Sequence, residues 1–185
     1  MKISEIIKTA ATYLSREDVC EYLTNQEIEA SRQTLETVDL LTRLTNLVIS
    51  ELSEGDVRMV EKVQLNGKTK ITFAELDNKI LDVVGVYDES GNQLEYSLST
   101  YQLNSRNGIY TFVYSYLPAN YGLFDTIGEF EKNVTTGILA YGVSAEFCLT
   151  EGRFEEAVMW NKRYVDSINK LYTPKNANIR GRNFV

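Results

Sequence analysis

The chain contains no histidine among its 185 residues. Without an imidazole there is no Ser–His or Cys–His nucleophile, and the commonest transition-metal ligand is missing. Cysteine is scarce as well: Cys20 and Cys148 lie far apart and make no CxxC or other metal spacing. They read as two reduced, partly buried thiols of a chain folded in a reducing cytosol. With two prolines and eleven glycines, the chain is neither low-complexity nor collagen-like. No apolar run approaches the roughly 18–20 residues that a membrane span needs. The opening MKISEIIKTAATYL places Glu5 and Lys8 where a signal peptide requires an uninterrupted apolar stretch. A soluble chain, not secreted by the usual route, is therefore expected, and the sequon Asn133-Val134-Thr135 is read as chance. There is no Walker or GxGxxG loop, the glycines being scattered as turn formers and helix joints.

What is present is ordinary in bulk and uneven in placement. Hydrophobic residues make up 43% and charged residues 24%, enough for one domain with a core that needs no disulfide or metal. The formal net charge of −7 conceals a gradient. Residues 15–61 hold eleven Asp/Glu against four Lys/Arg, whereas from Lys162 onward there are six Lys/Arg and only Asp166. Copies set head to tail or side by side would attract at short range. A chain this acidic is a poor general nucleic-acid binder and would tolerate lying beside DNA without gripping it.

Residues 2–14 space Ile3, Ile6, Ile7, Ala10, Ala11 and Leu14 as one helical face. Ser15 is a natural N-cap for a short helix over 16–23, with Asp18 in its first turn. A long helix is expected over 26–52, striped by Leu35, Val38, Leu41, Leu44, Val48 and Leu52 and ended by Gly55. The period then changes to two. Val57, Met59 and Val63 alternate, Asn66-Gly67 predicts a two-residue hairpin turn, and 70–73 is its return strand. The stretch 80–118 reads as a β-meander: strands at 81–87 and 94–96 flank a turn at 88–92, and Asn107-Gly108 predicts a third turn before a strand over 109–117. That last strand puts Tyr110, Phe112, Tyr114 and Tyr116 on one face and Thr111, Val113 and Ser115 on the other, and Pro118 stops it. Helical pattern returns over 126–149 and 153–172, with Gly152 at the joint and Thr173-Pro174 as the end. The fold class expected is α+β. A helical bundle, N-terminal helices plus a C-terminal helical hairpin, carries an inserted antiparallel β-meander and an extended C-terminal arm. The parts fall at 1–55, 56–118, 119–172 and 173–185.

Residues that could carry chemistry have simpler explanations. Glu17, Asp18, Glu21, Glu27 and Glu29 fall on helix starts and outer faces, where solvation and the helix dipole account for them. Asp88, Ser90 and Asn92 suggest a calcium loop, but the glycine is misplaced and Ser99 stands where a bidentate glutamate belongs, so a hairpin turn explains them. The segment Leu139–Ala157 resembles half of a tetratricopeptide repeat. One copy cannot make a solenoid, so an antiparallel helix pair is expected, brought close by Ala140, Gly142, Ser144 and Ala145. The twelve tyrosines suit either sheet-on-helix packing or a partly buried subunit interface. The tail KNANIRGRNFV interleaves cations with asparagines and closes on an apolar pair. A frayed terminus is the default for such a segment; the alternative is an arm, since thirteen extended residues would span roughly 40 Å, enough to dock as an added strand on a neighbour. No catalytic residue, metal or cofactor is expected.

Taken in order, these pieces resemble the head–tail connector (adaptor) proteins of tailed bacteriophages. The resemblance is carried by MKISEIIKTAATYLSREDVCEYL, the long helix, KITFAELDNKILDVVGVYDESGNQLEYS, GIYTFVYSYLP, ILAYGVSAEFCLTEGRFEEAVMWNKRYVDSINKL and the tail IRGRNFV. It covers almost the whole chain, as element order and loose pattern rather than an invariant signature. It implies a non-enzymatic structural protein of the virion neck, assembled in the host cytoplasm. Such a protein forms a homo-oligomeric ring of about a dozen copies, bound beneath the portal protein and contacting the next neck or tail component. Packaged DNA would pass through the ring without specific binding, and no membrane is involved. The arm becomes 173–185, with Lys175, Ile179, Arg180, Arg182, Phe184 and Val185 as its partner-binding residues, and the β-wing becomes 57–118. The alternatives are a stopper or tubular neck protein and a monomeric tetratricopeptide-like protein-binding module.

Overall fold

A computed structural model describes residues 1–25, 29–55 and 57–172 of the chain. It is α+β: five α-helices and a five-stranded antiparallel sheet. Helix α1 (Ile3–Tyr13) buries Ile3, Ile6, Ile7, Ala10 and Ala11, the stripe its spacing predicts. It ends on Ser15, which takes φ 57°, while the amides of Ser15 and Arg16 bond back to the carbonyls of Thr12 and Ala11. That is a Schellman ending with serine in the place usually held by glycine. Ser15 is thus the C-terminal stop of α1 rather than the N-cap of α2 (Glu17–Thr24), whose cap position is Arg16. Helix α3 runs Arg32–Glu54, six residues later at its start than expected, because the Ser31 hydroxyl accepts the Thr34 amide and caps it there. Residues 26–28, where the expected helix begins, lie outside the described residues.

Helix α4 (Thr136–Thr150) is the centre of the body. Its buried residues, including Ile138, Leu139, Ala140, Val143, Ser144, Phe147 and Cys148, lie on all its faces, as required of a helix packed against α1, α3 and α5 at once. It begins ten residues later than expected. Residues 126–135 are used otherwise: Thr126 bridges Lys2, β5 (Glu129–Phe130) pairs with the start of β1, and Thr135 caps α4. Helix α5 (Phe154–Tyr172) returns along α4 after Gly152, which sits at φ 72° as a helix joint should.

The sheet departs from the expected turns. Strand β1 (Met59–Thr72) runs straight through Asn66-Gly67, and β4 (Gln102–Tyr116) runs straight through Asn107-Gly108. The two pair antiparallel with each other, from Met59 opposite Tyr116 to Thr72 opposite Gln102. The register slips between Gln64 and Lys68 and again between Lys68 and Lys70. Both glycines therefore form bulges in one long ribbon. Gly67 takes φ 72°, and a β-carbon on Gly108 would lie 3.1 Å from the Gly67 carbonyl oxygen, so the two strands meet backbone to backbone. The expected hairpin at 66–67, the turn at 107–108 and the separate return strand at 70–73 are absent for this reason.

Strand β2 (Ile80–Tyr87) lies on the other side of β4, giving the order β2-β4-β1-β5. The turn at 88–92 forms as expected, with Gly91 at φ 81° and the Asp88 carboxylate accepting the Asn92 amide. Residues 94–96 are not a strand; the short β3 is Ser97–Leu98 and pairs with β4.

Candidate functional site

The partner-binding residues expected in the arm, Lys175, Ile179, Arg180, Arg182, Phe184 and Val185, lie outside the described residues, as does the whole of 173–185. The surfaces that can be built from side chains are those of the ribbon and of the helical body.

Alternation in β4 sends Phe112, Tyr114 and Tyr116 into the core, with the Phe112 and Tyr114 rings stacked at 5.3 Å. For these rings packing is the answer, and an interface is not. Tyr110 on the same face is half-buried, its hydroxyl over Gly67. The Tyr114 hydroxyl donates to Glu61, which also accepts from the Asn78 amide at 2.8 Å. Burial first, then the Glu61 carboxylate, pushes the Tyr114 phenol well above its ordinary range, and burial does the same to Tyr116. Neither phenol supplies an oxyanion near neutral pH. Their task is to hold β1, β4 and the 73–79 loop together.

The far end of the ribbon is different. With β1 starting at the helical body, its fourteen residues carry the chain up to about 40 Å. There Tyr101 is 76% exposed and Leu98 57% exposed, with Tyr96 also at the surface. The flank of β1 between carries Lys62, Lys68 and Lys70 outward, a common protection of an open strand edge.

In the body, the rings of Tyr13, Tyr141 and Trp160 stack at 5.2–5.8 Å and tie α1, α4 and α5 into one unit. The Arg163 guanidinium lies 4.8 Å from the Trp160 ring centre. Gly142 sets the spacing, since a β-carbon there would fall 2.8 Å from Val48 of α3 and 3.2 Å from Tyr164 of α5. The close approach expected of the small residues is realised at this point. Among the described residues α4 is packed by α1, α3 and α5 at once.

The chain matches no family model and no curated protein. Among the described residues no group of Cys, Asp or Glu is arranged to hold a metal ion, and no helix is long and apolar enough to cross a membrane. The Asp88 carboxyl is held below its usual range by hydrogen bonds from Asn92, so the turn satisfies its own oxygens. Burial pushes the Cys148 thiol up, away from the thiolate a nucleophile needs. Cys20 is half-buried, and both cysteines are free.

One surface escaped the sequence reading. Phe154 is 66% exposed, Val158 70% and Val165 45%, and at 100° per residue they lie within about 40° of one another on α5. The signal was available in their spacing of four and seven residues. It was absorbed into the helical hairpin, whose real contact stripe is Ala157, Trp160, Tyr164, Ile168 and Leu171, about 100° away.

Proposed function

We propose that this chain is a structural subunit of a tailed-phage neck, a head–tail connector that joins the portal to the tail and has no enzymatic activity. The observation that carries the reading is the division of labour in the fold. A helical body is centred on one enclosed helix, and a single long ribbon leads from it to a tip of exposed apolar side chains. Such a shape serves contact with two different neighbours.

In this reading copies form a ring, the ribbon tip addresses the next neck component, and the basic arm at 173–185 reaches the portal. The acidic balance of the chain repels the phosphate backbone, so DNA slides through the channel rather than sticking. Many weak arms acting on one ring supply affinity through multivalency. The test is electron microscopy of the full chain mixed with the portal of the same phage. A ring of added density on the portal's outer end is expected. A portal left bare at saturating chain would overturn the reading.

A further inference from the structure

Helices α3 and α5 each pack closely on α4 but have little contact with each other. Gly142 of α4 stands between them, with Val48 of α3 on one side and Tyr164 of α5 on the other. Past it, toward the C-terminal ends of both helices, the space opens into a groove. Its walls are Glu51, Leu52 and Gly55 of α3 and Val165, Ile168 and Asn169 of α5. The bottom is apolar, since Leu52 and Ile168 belong to the core, while Val165 is half exposed above them.

The sides are acidic. Glu51 is exposed, and Glu146 is half-buried one turn on from Gly142, on the same side of α4. Neither takes part in an ion pair found among the described residues. Burial first, then the charge of Glu51, pushes the Glu146 carboxyl up, so the two acids stand close enough to repel. The cations around them are placed elsewhere. Lys132, at the end of α5, is drawn over the Tyr172 ring at 5.6 Å, and Arg163 lies over Trp160. At 100° per residue, Lys170 sits on the opposite side of α5 from the groove and Lys162 about 90° away from it.

A groove of this kind suits a stretch that carries cations and apolar side chains together, and the chain supplies one. Residues 173–185 hold Lys175, Arg180 and Arg182, no Asp or Glu, and the apolar Ile179, Phe184 and Val185. They follow directly on Tyr172, one turn past Ile168 in the groove wall. Extended, the arm reaches roughly 40 Å, against about 28 Å for the whole length of α5. It can therefore run back over the groove, and its tether holds it there at high effective concentration.

We infer that the groove between α3 and α5 is the resting seat of the chain's own arm, with Arg180 and Arg182 against Glu51 and Glu146 and the arm's apolar side chains over Leu52, Val165 and Ile168. Because the arm is tethered, a weak seat suffices, and a weak seat empties when the arm is drawn to another partner. Only that release rests on the connector reading, in which the partner is the portal.

The test places the photoreactive residue p-benzoylphenylalanine at Phe184 of the full chain and, in a second chain, at Ile179. Irradiation followed by mass spectrometry of the peptides should find crosslinks within one chain to residues 51–55 or 164–169, in a yield unchanged by dilution. Glu51→Lys alters an exposed side chain and should leave the melting temperature as it is, yet lower that yield about fivefold. High salt should lower it too. Crosslinks from both positions that miss the groove, or a yield indifferent to Glu51→Lys, would overturn the inference. Crosslinks that join two copies and fall away on dilution would overturn the chain's own arm as the occupant. Groove crosslinks from a chain that leaves the portal bare would keep the seat and remove the connector reading, whereas a decorated portal without groove crosslinks would do the reverse.

Discussion

Ser15 holds φ at 57°, the left-handed region in which a β-carbon crowds the following carbonyl at a cost of roughly 1–2 kcal/mol. Among the described residues only its backbone amide is engaged, to the Thr12 carbonyl, so little is lost by removing the side chain. Ser15→Gly should therefore raise stability by about 1 kcal/mol, read as a higher denaturation midpoint in urea. Gly142 gives the opposite sign. In an exposed helix Gly→Ala gains about 1 kcal/mol of propensity. Here the added carbon would meet Val48 at 2.8 Å, and a branched side chain wedged between helices has nowhere to turn. Overpacking outweighs propensity, and Gly142→Ala should lose about 1–2 kcal/mol by the same measurement. Asp18 supplies a pH dependence. Its carboxylate takes two bonds of 2.9 Å from Arg16 and one of 3.0 Å from Thr34, stapling α2 to α3. The Arg16 hydrogen bonds hold its pKa at about 2, below the unfolded value. Stability from this group is thus complete above about pH 4 and is lost as pH falls through 2. Because the carboxylate is 41% exposed, about 1 kcal/mol is expected after screening. Thermal melts at pH 6 and pH 2.5 should differ less for Asp18→Asn than for the native chain.

At the scale of elements, periodicity was legible and punctuation was not. The stripe of α1, the joint at Gly152 and the aromatic face of β4 follow from spacing alone, because each depends on neighbours along the chain. Asn-Gly at 66–67 and at 107–108 carries the strongest local turn signal available. Yet the two dipeptides are spent on bulges in strands whose paired residues, from Thr72↔Gln102 to Met59↔Tyr116, stand 30 to 57 positions apart, and no local pattern announces that pairing. The start of α4 was misplaced for a related reason: residues 126–130 are claimed by Lys2 and by β1, both distant in sequence. Of the candidate site, the aromatic face of β4 was legible and the long ribbon that carries it was not. The outer stripe of α5 had a signal that the hairpin explanation concealed. The bulges make a prediction of their own. Gly67→Val places a branched residue at φ 72°, beneath the Tyr110 hydroxyl and against Gly108. A loss of about 2 kcal/mol or more is expected. Hydrogen exchange should locate the loosening in residues 62–72 and 102–111, with the helical body protected as before. Equal loosening of α4 would mean that ribbon and body unfold as one unit.

For the whole molecule, the placement of the core decides what the last residues can be for. Among the described residues every buried apolar residue lies between Ile3 and Ile168, and α1, α3, α4 and α5 are joined by contacts of their own. A chain ending at Thr173 therefore keeps the interactions that fold the described residues, and its melting temperature should stay within about 2 °C of the full chain. What truncation removes is Lys175, Arg180 and Arg182, three of the six cations from Lys162 onward, together with the apolar pair Phe184-Val185. If the arm is the portal contact, the shortened chain folds normally yet fails to add to the portal in electron micrographs, even at concentrations that saturate binding of the full chain. Multivalency sharpens the outcome, because an affinity built from many equal arms collapses when each is shortened rather than fading in proportion. Raising salt should mimic the truncation for the full chain, since the arm's attraction is largely one of charge. A shortened chain that still forms its ring on the portal would move the contact from the tail to the folded body, where the outer stripe of α5 and the tip of the ribbon are among the exposed apolar surfaces able to take it.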